Sequence, residues 1–391
     1  VPEVQGKCDA RFRPLKEAFA RNFEEYGEIG ASLAVMVDGR MVVDLWGGFM
    51  DAARARLWER DTIVNVYSTT KGMVAACAHR LVERGLLNID APVAKYWPEF
   101  AQGGKQSLPV RYLLCHKAGL PAIRDPLPMG TLYDWDAMAA ALARQTPWWE
   151  PGAKHGYHAV TFGFLVGEVI RRVSGKSVGT YFRDEIAAPL GIDFHIGLAA
   201  KEDTRTATML PSPPPDPDSE EAKLVAATFS DLESATAKAL MNPPDLIVPD
   251  VVNTRQWRAA EIPASNGHGN ARALARFYGA LASGGKLDGI RMLEEQTIER
   301  AITEEASGID EITRVPSRFG LGFQLTRPEM RLGHGQRGFG HAGMGGSLGF
   351  ADPDARIGFG YAMNQMISTI GSLSGEDPRW PPILAAVYGL L

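Results

Sequence analysis

Ser68-Thr69-Thr70-Lys71 places a hydroxyl and an amine three residues apart. On a helix, positions i and i+3 share a face, so the Lys71 amine can approach the Ser68 hydroxyl. A serine hydroxyl becomes an effective nucleophile only when a neighbouring base takes its proton. Lysine can be that base if its pKa falls far below the ordinary value, which burial or nearby positive charge brings about. A helix start adds free backbone N–H groups that can hold a developing oxyanion. The chemistry such a pair supports is acyl transfer through a serine ester. The tetrapeptide alone also reads as a capped helix start with a solvated lysine.

Two other serines sit in G-x-S-x-G patterns, Ser177 within Gly175–Gly179 and Ser347 within Gly345–Gly349. That motif works on a strand-turn-helix elbow. Ser177 follows a helical pattern and Ser347 runs into an extended stretch, so neither has the required context. Tyr157 lies in the turn-rich approach Trp148–Ala159. A phenol can relay a proton if a cation lowers its pKa, while a tyrosine packed at a helix start is the plainer reading. Gly340-His341-Ala342-Gly343-Met344-Gly345-Gly346 carries little side chain, which lets a ligand approach backbone N–H groups; a bulged edge strand reads the same way.

These residues need elements to hold them. Met73, Val74, Cys77, Leu81 and Val82 recur at helical spacing between Thr69 and Arg84, with Gly85 as a stop. Upstream, Ala31–Val37 and Met41–Leu45 flank Asp38-Gly39, a strong hairpin signal, after an amphipathic helix around Phe12–Tyr26. Helical patterns follow at Trp135–Ala143, Thr161–Val173 and Arg272–Ala282, and at the end over Pro381–Tyr388. The last third is Gly-rich with short β runs such as Ile357–Met363. Prolines crowd 211–217 and recur at 243, 244 and 249, so 211–249 reads as a long irregular insertion. With β at both ends and helix between, the simplest fold is α+β. Residues 1–65 and 270–391 would form an antiparallel sheet flanked by helices, and 66–269 a mainly helical domain.

Composition excludes several classes. The 391 residues carry 41 Lys+Arg against 46 Asp+Glu, a net charge of −5, with no basic run, so no nucleic-acid partner is expected. No stretch of 18 apolar residues is present, so no membrane span is expected. Cys8, Cys77 and Cys115 are odd in number without C-x-x-C spacing, which fits reduced thiols in the cytoplasm. The opening residues show no leader pattern; a periplasmic setting would require one removed earlier. The eight histidines lack metal-ligand spacing, so neither a metal nor a cofactor is expected. His116 and His268 read as structural or lining residues.

Taken together, Ser68-x-x-Lys71, Tyr157 and 340–346 resemble the serine β-lactamase/penicillin-binding-protein superfamily. So do the phrases Val110–Pro121, Ala188-Pro189-Leu190-Gly191-Ile192 and Gly340 through Pro353. The chain is most similar to family VIII carboxylesterases, the class C β-lactamase-like branch, from about Asp61 to Met363. The resemblance implies a β-lactamase/transpeptidase-like fold with the site between a sheet domain and a helical lobe. It implies Ser68 as the acylated nucleophile, Lys71 as its base, Tyr157 sharing proton transfer, and the Ser68 and Met344 amides as oxyanion hole. His341-Ala342-Gly343 would occupy the K-T-G position, with His341 and Gly343 binding substrate. Tyr157-His158-Ala159 lacks the family's third-position Asn, and His341 replaces the lysine that helps hold a β-lactam carboxylate.

Those departures favour a carboxylesterase acting on short-chain esters. A β-lactamase or D-alanyl carboxypeptidase-like protein, or an acyltransferase with weak β-lactam turnover, is the alternative, and a silent binding protein the third reading. The partner would be a small-molecule ester, with β-lactams as lesser substrates; the oligomeric state stays open. Trp149 and Phe323, with Trp148 and Trp257, are candidates to line an acyl pocket, although large aromatics are usually core.

Overall fold

The computed structural model describes residues 2–367 and 377–390. Asp38 and Gly39 both adopt left-handed backbone, φ +49° and +74°, as a two-residue hairpin turn with right-twisted arms requires. That turn joins two strands of a nine-stranded antiparallel sheet. Its strands are β1 (Gln5–Cys8), β2 (Gly30–Val37), β3 (Arg40–Gly48), β4 (Ala306–Ile309), β5 (Pro316–Phe319), β6 (Gln324–Leu325), β7 (Phe339–Ala342), β8 (Leu348–Asp352) and β9 (Ile357–Met363). In space they run β1-β3-β2-β9-β8-β7-β6-β5-β4. The long β2–β9 ladder, from Ala31↔Met363 to Val37↔Ile357, closes the two chain ends onto each other. The expected α+β fold is therefore the one observed.

Helix α1 (Arg13–Glu25) and a C-terminal helix cover one side of the sheet. The central helices are α2 (Thr70–Glu83) and α3 (Thr161–Ser174), which pack on each other, with α2 also touching β7. Every α2 residue from Thr70 to Leu81 except Arg80 is buried, and the helix ends where Gly85 turns left-handed at φ +69°. No helix among the described residues is long and apolar enough to cross a membrane.

Two sequence expectations need correction. The insertion is not irregular throughout, because α4 (Glu220–Ser230) and α5 (Ala235–Met241) form inside it. The prolines crowd its two ends, and Ser219 and Ser234 accept from the Ala222 and Ala237 amides as N-caps. The Gly340 segment is not an edge: β7 pairs with β6 on one side and β8 on the other.

Beyond α5, helix α6 (Ala271–Ala282) lies directly on β9 and β8, and glycines on the strands permit it. A Cβ at Gly358 would meet the Gly279 nitrogen at 2.2 Å, and one at Gly360 would meet the Ala271 carbonyl oxygen at 2.2 Å. Both obstacles are backbone, so neither can swing aside. Gly360→Ala is expected to destabilise the protein by about 1–3 kcal/mol, the usual cost of overpacking, read as a lower urea midpoint at unchanged m-value.

Candidate active site

Ser68 sits in the turn that leads into α2 and is half-buried, within reach of solvent. Tyr67 before it holds φ +43°, a strained conformation for a bulky residue. The strain is held from both directions. Tyr67 carbonyl oxygen accepts from the Thr70 amide at 3.0 Å and from Thr70 Oγ1, and Thr70 Oγ1 in turn accepts from the Gly267 amide at 2.9 Å. The residue after the strained one presents its side chain outward at the head of the helix.

Lys71 is fully buried, and its Nζ has three polar neighbours: Ser68 Oγ at 3.0 Å, the Ala159 carbonyl oxygen at 2.8 Å and the Ala264 carbonyl oxygen at 3.0 Å. It forms no ion pair among the described residues. Burial without a counter-charge drives its pKa well below the ordinary 10.5. A neutral amine has two N–H bonds and one lone pair. The two carbonyls can only accept, so they take both N–H bonds, and the lone pair faces the Ser68 hydroxyl. Helical spacing sets the pair; the two carbonyls orient the amine.

Tyr157 lies above this pair, with Lys71 Nζ 4.7 Å from its ring centroid. The ring is held by His116 at 5.0 Å and a near-parallel Phe319 at 6.1 Å. Its Oη has no hydrogen-bond partner among the described residues. Burial raises its pKa, against a smaller opposing pull from nearby Ser68. The phenol thus stays protonated at neutral pH, whereas the sequence reading invoked a lowered pKa. Its backbone is fixed by buried Asp310, whose Oδ1 accepts from the amides of Tyr157 at 3.0 Å, Ile312 at 2.9 Å and Thr313 at 2.9 Å. Nothing singled out Asp310 beforehand; the only signal was an aspartate in a polar turn.

The turn after β7 brings the Met344 amide to the same place. Among the described residues neither the Ser68 nor the Met344 N–H has an acceptor in the protein. Ser347 fastens this turn to that of Ser68: its Oγ donates to the Val66 carbonyl oxygen at 2.8 Å, so Thr69 Oγ1, 3.1 Å away, donates to Ser347. Ser347 is thereby a buried tie and not a nucleophile. Ser177 caps a short helix, its Oγ accepting from the Thr180 amide and donating to Glu261.

Behind the turn lies fully buried Arg379, ahead of α7 (Trp380–Tyr388). It donates to the Gly345 carbonyl, to Glu28 Oε2 at 2.9 Å and to Asp377 Oδ2 at 2.7 Å, and Trp380 Nε1 donates to the Gly346 carbonyl at 3.0 Å. Burial opposes its charge, but Glu28 and Asp377 hold its pKa above the ordinary value.

Ser68, Tyr157 and Met344 open onto a cavity of about 500 Å³ whose walls are overwhelmingly apolar. Trp257 lines it, with its Nε1 donating to Asn65. Trp149 and Phe323 do not. Trp149 packs its ring edge over Gly156 and donates to the Lys154 carbonyl, where a glycine leaves room for it. Phe323 is core, stacked on His79 and set edge-on to Phe339 behind α2. His341 and Gly343 also lie behind the wall. The His341 ring is 6.0 Å from that of Tyr157, and its Nδ1 donates to the Ala342 carbonyl at 2.7 Å. Burial lowers its pKa to about 3, so it is a neutral imidazole. Gly343 is pressed against Val66 and Ser347, where a Cβ would lie 2.3 Å from the Val66 oxygen. His116 and His268 are buried, as expected of structural histidines. Among the described residues no group of His, Cys, Asp or Glu is arranged to hold a metal.

Comparison with known proteins gives this fold a family. The Beta-lactamase family matches residues 15–371. The chain is 37% identical to the esterase/beta-lactamase LipL of Mycobacterium tuberculosis over 374 residues, covering 94% of this chain and 84% of that protein. It is 27% identical to esterase EstB of Burkholderia gladioli over 221 residues, 52% of this chain and 55% of that protein. A crystal structure of a family VIII carboxylesterase superposes with a TM-score of 0.90 at 44% identity, covering 100% of both chains. A penicillin-binding-protein homologue from Caulobacter crescentus does so with a TM-score of 0.87 at 37% identity, again over 100% of both.

If Lys71 must be neutral to accept the Ser68 proton, labelling of Ser68 by an uncharged phosphonate has a definite pH dependence. The rate should rise as pH increases through the lowered Lys71 pKa and level off well below 10.5, because protonation removes the acceptor. Lys71→Ala should lose about a hundred- to ten-thousandfold in that rate and flatten the profile. A wild-type rate still climbing toward pH 10 would show that the amine stays charged.

Proposed function

The chain belongs to the beta-lactamase family and is a serine hydrolase of the carboxylic-ester type, and from that premise we propose that it cleaves neutral, short-chain carboxylic esters through an acyl-enzyme on Ser68. The observation that carries the proposal is the Lys71 amine, buried without a counter-charge 3.0 Å from the Ser68 hydroxyl, at the edge of an apolar cavity.

In the first half-reaction Ser68 Oγ attacks the ester carbonyl carbon while its proton passes to Lys71 Nζ. The carbonyl oxygen becomes an oxyanion in reach of the Ser68 and Met344 amides, whose N–H groups have no other acceptor among the described residues. The C–O bond to the alcohol breaks as that oxygen takes a proton from Tyr157, which Lys71 re-protonates. Water then attacks the acyl-serine by the same route in reverse, releasing the acid and restoring the Ser68 hydroxyl. Tyr157 begins and ends each half-reaction as a neutral phenol, consistent with its raised pKa.

Several features support esters over β-lactams. A β-lactam carries a carboxylate that needs a cation beside it. His341 is uncharged, and among the described residues no Lys or Arg lines the cavity. His158, next to Tyr157, is turned inward, its Nδ1 donating to the Gly156 carbonyl at 2.6 Å and its Nε2 accepting from the Leu120 amide at 3.1 Å. Ala159 offers the site only its carbonyl, already committed to Lys71.

Ser68→Ala is expected to lower turnover of p-nitrophenyl butyrate by roughly a thousandfold or more, the scale seen when a nucleophile is removed, and to abolish phosphonate labelling. Retained activity would refute the assignment. The wild-type protein should show a higher kcat/KM for that ester than for a chromogenic cephalosporin; the opposite ranking would return the β-lactamase reading to first place.

A further inference from the structure

The insertion between the two proline clusters forms one whole wall of the cavity. Val225 and Phe229 reach it from α4, Ala239 and Leu240 from α5, and Leu246 and Val248 from the segment beyond. Three of these large side chains remain unusually open to solvent: Phe229 is 44% exposed, Leu240 44% and Val248 38%. Core packing does not account for them, since leaving such side chains in water forfeits the gain from burying them. All three stand at the cavity, so what would cover them is whatever enters it.

The cavity is also larger than an acetyl or butyryl group requires. About 500 Å³ falls in the range of sites that enclose drug-sized ligands. Among the described residues that line it, Asp250 is the sole acidic or basic side chain. A ligand bearing a carboxylate or phosphate would therefore meet no cation and one carboxylate.

We propose that α4 and α5 read chain length, and that the preferred substrates are neutral esters bearing an unbranched apolar chain of medium length, which runs from Ser68 along Phe229 and Leu240. This deepens the ester-hydrolase reading and rests on it: short esters react at Ser68, and longer chains gain additional binding from the insertion. The chain can belong to the acid or to the alcohol, since both leave the ester group at Ser68.

The test is a series of p-nitrophenyl esters (acetate, butyrate, octanoate and laurate), with octyl acetate as the arm that places the chain on the alcohol. For the wild-type protein kcat/KM should rise from acetate to octanoate, and comparison of ethyl octanoate with octyl acetate, both of which expel a simple alcohol, shows which half of the ester carries the chain. Phe229→Ala and Leu240→Ala alter half-exposed positions, so the fold should tolerate both. Each should lower kcat/KM for octanoate about tenfold while leaving acetate within about twofold. A wild-type profile that is flat or falls beyond acetate would overturn the proposal, as would variants that lose acetate and octanoate equally. If acetate itself is not hydrolysed, the ester-hydrolase reading fails first and takes this proposal with it.

Discussion

A lysine buried without a negative partner is the constraint on which the site depends. Lys71 is given two carbonyl oxygens and one hydroxyl, all uncharged. Two other buried cations show what this choice does. Arg379 is packed between Glu28 and Asp377 and is held charged, as a strut. Lys105 donates to three carbonyls, those of Gln102, Ala143 and Gln145. All three acceptors call for an N–H, which favours the ammonium, and burial lowers its pKa only to about 8. At Lys71 the third partner is a hydroxyl, which can donate as readily as accept. A neutral Lys71 can therefore accept from its third partner, which Lys105 cannot do.

The two carbonyl partners of that amine, and the turn that faces the same cavity, come from distant parts of the chain. The carbonyl of Ala159 follows Tyr157, the carbonyl of Ala264 precedes the tightly bonded Asn266, and the Met344 turn arrives from the sheet. Each is fixed by a buried polar group with little freedom: Asp310 for the Tyr157 segment, Asn266 for the Ala264 loop, and Ser347 and Arg379 for the Met344 turn. Preorganised donors and acceptors of this kind lower a barrier because they need no rearrangement as charge develops. The cost is visible as strain at Tyr67 and as a buried charge cluster, both stable only because neighbouring contacts over-determine them.

Much of this was legible before any coordinates. The Asp38-Gly39 hairpin and α2 follow from local patterning, and context alone set Ser177 and Ser347 aside. The Ser68–Lys71 approach follows from the pitch of a helix. What stayed hidden depends on contacts far apart in sequence. Tyr67 is a residue type that avoids left-handed backbone, so nothing local marks its strain. Arg379 and Asp310 look like ordinary surface charges until tertiary packing buries them. Trp149 and Phe323 stand as candidate pocket walls beside the commoner core reading, because composition cannot tell an aromatic that faces a cavity from one that faces the core. Helices α4 and α5 were masked by the prolines on either side, which punctuate the insertion without filling it.

The central claim is that Lys71 is an amine, not an ammonium, in the resting protein. Protein labelled with ¹³C at lysine Cε, with the Lys71 resonance assigned by its loss in Lys71→Ala, reports this charge directly by NMR during a pH titration. A Cε shift characteristic of the neutral amine at pH 7, changing to that of the ammonium only on acidification, is the expected result. A Lys71 resonance that stays in the ammonium position until the pH approaches 10.5, like the exposed lysines around it, would contradict the account at its foundation.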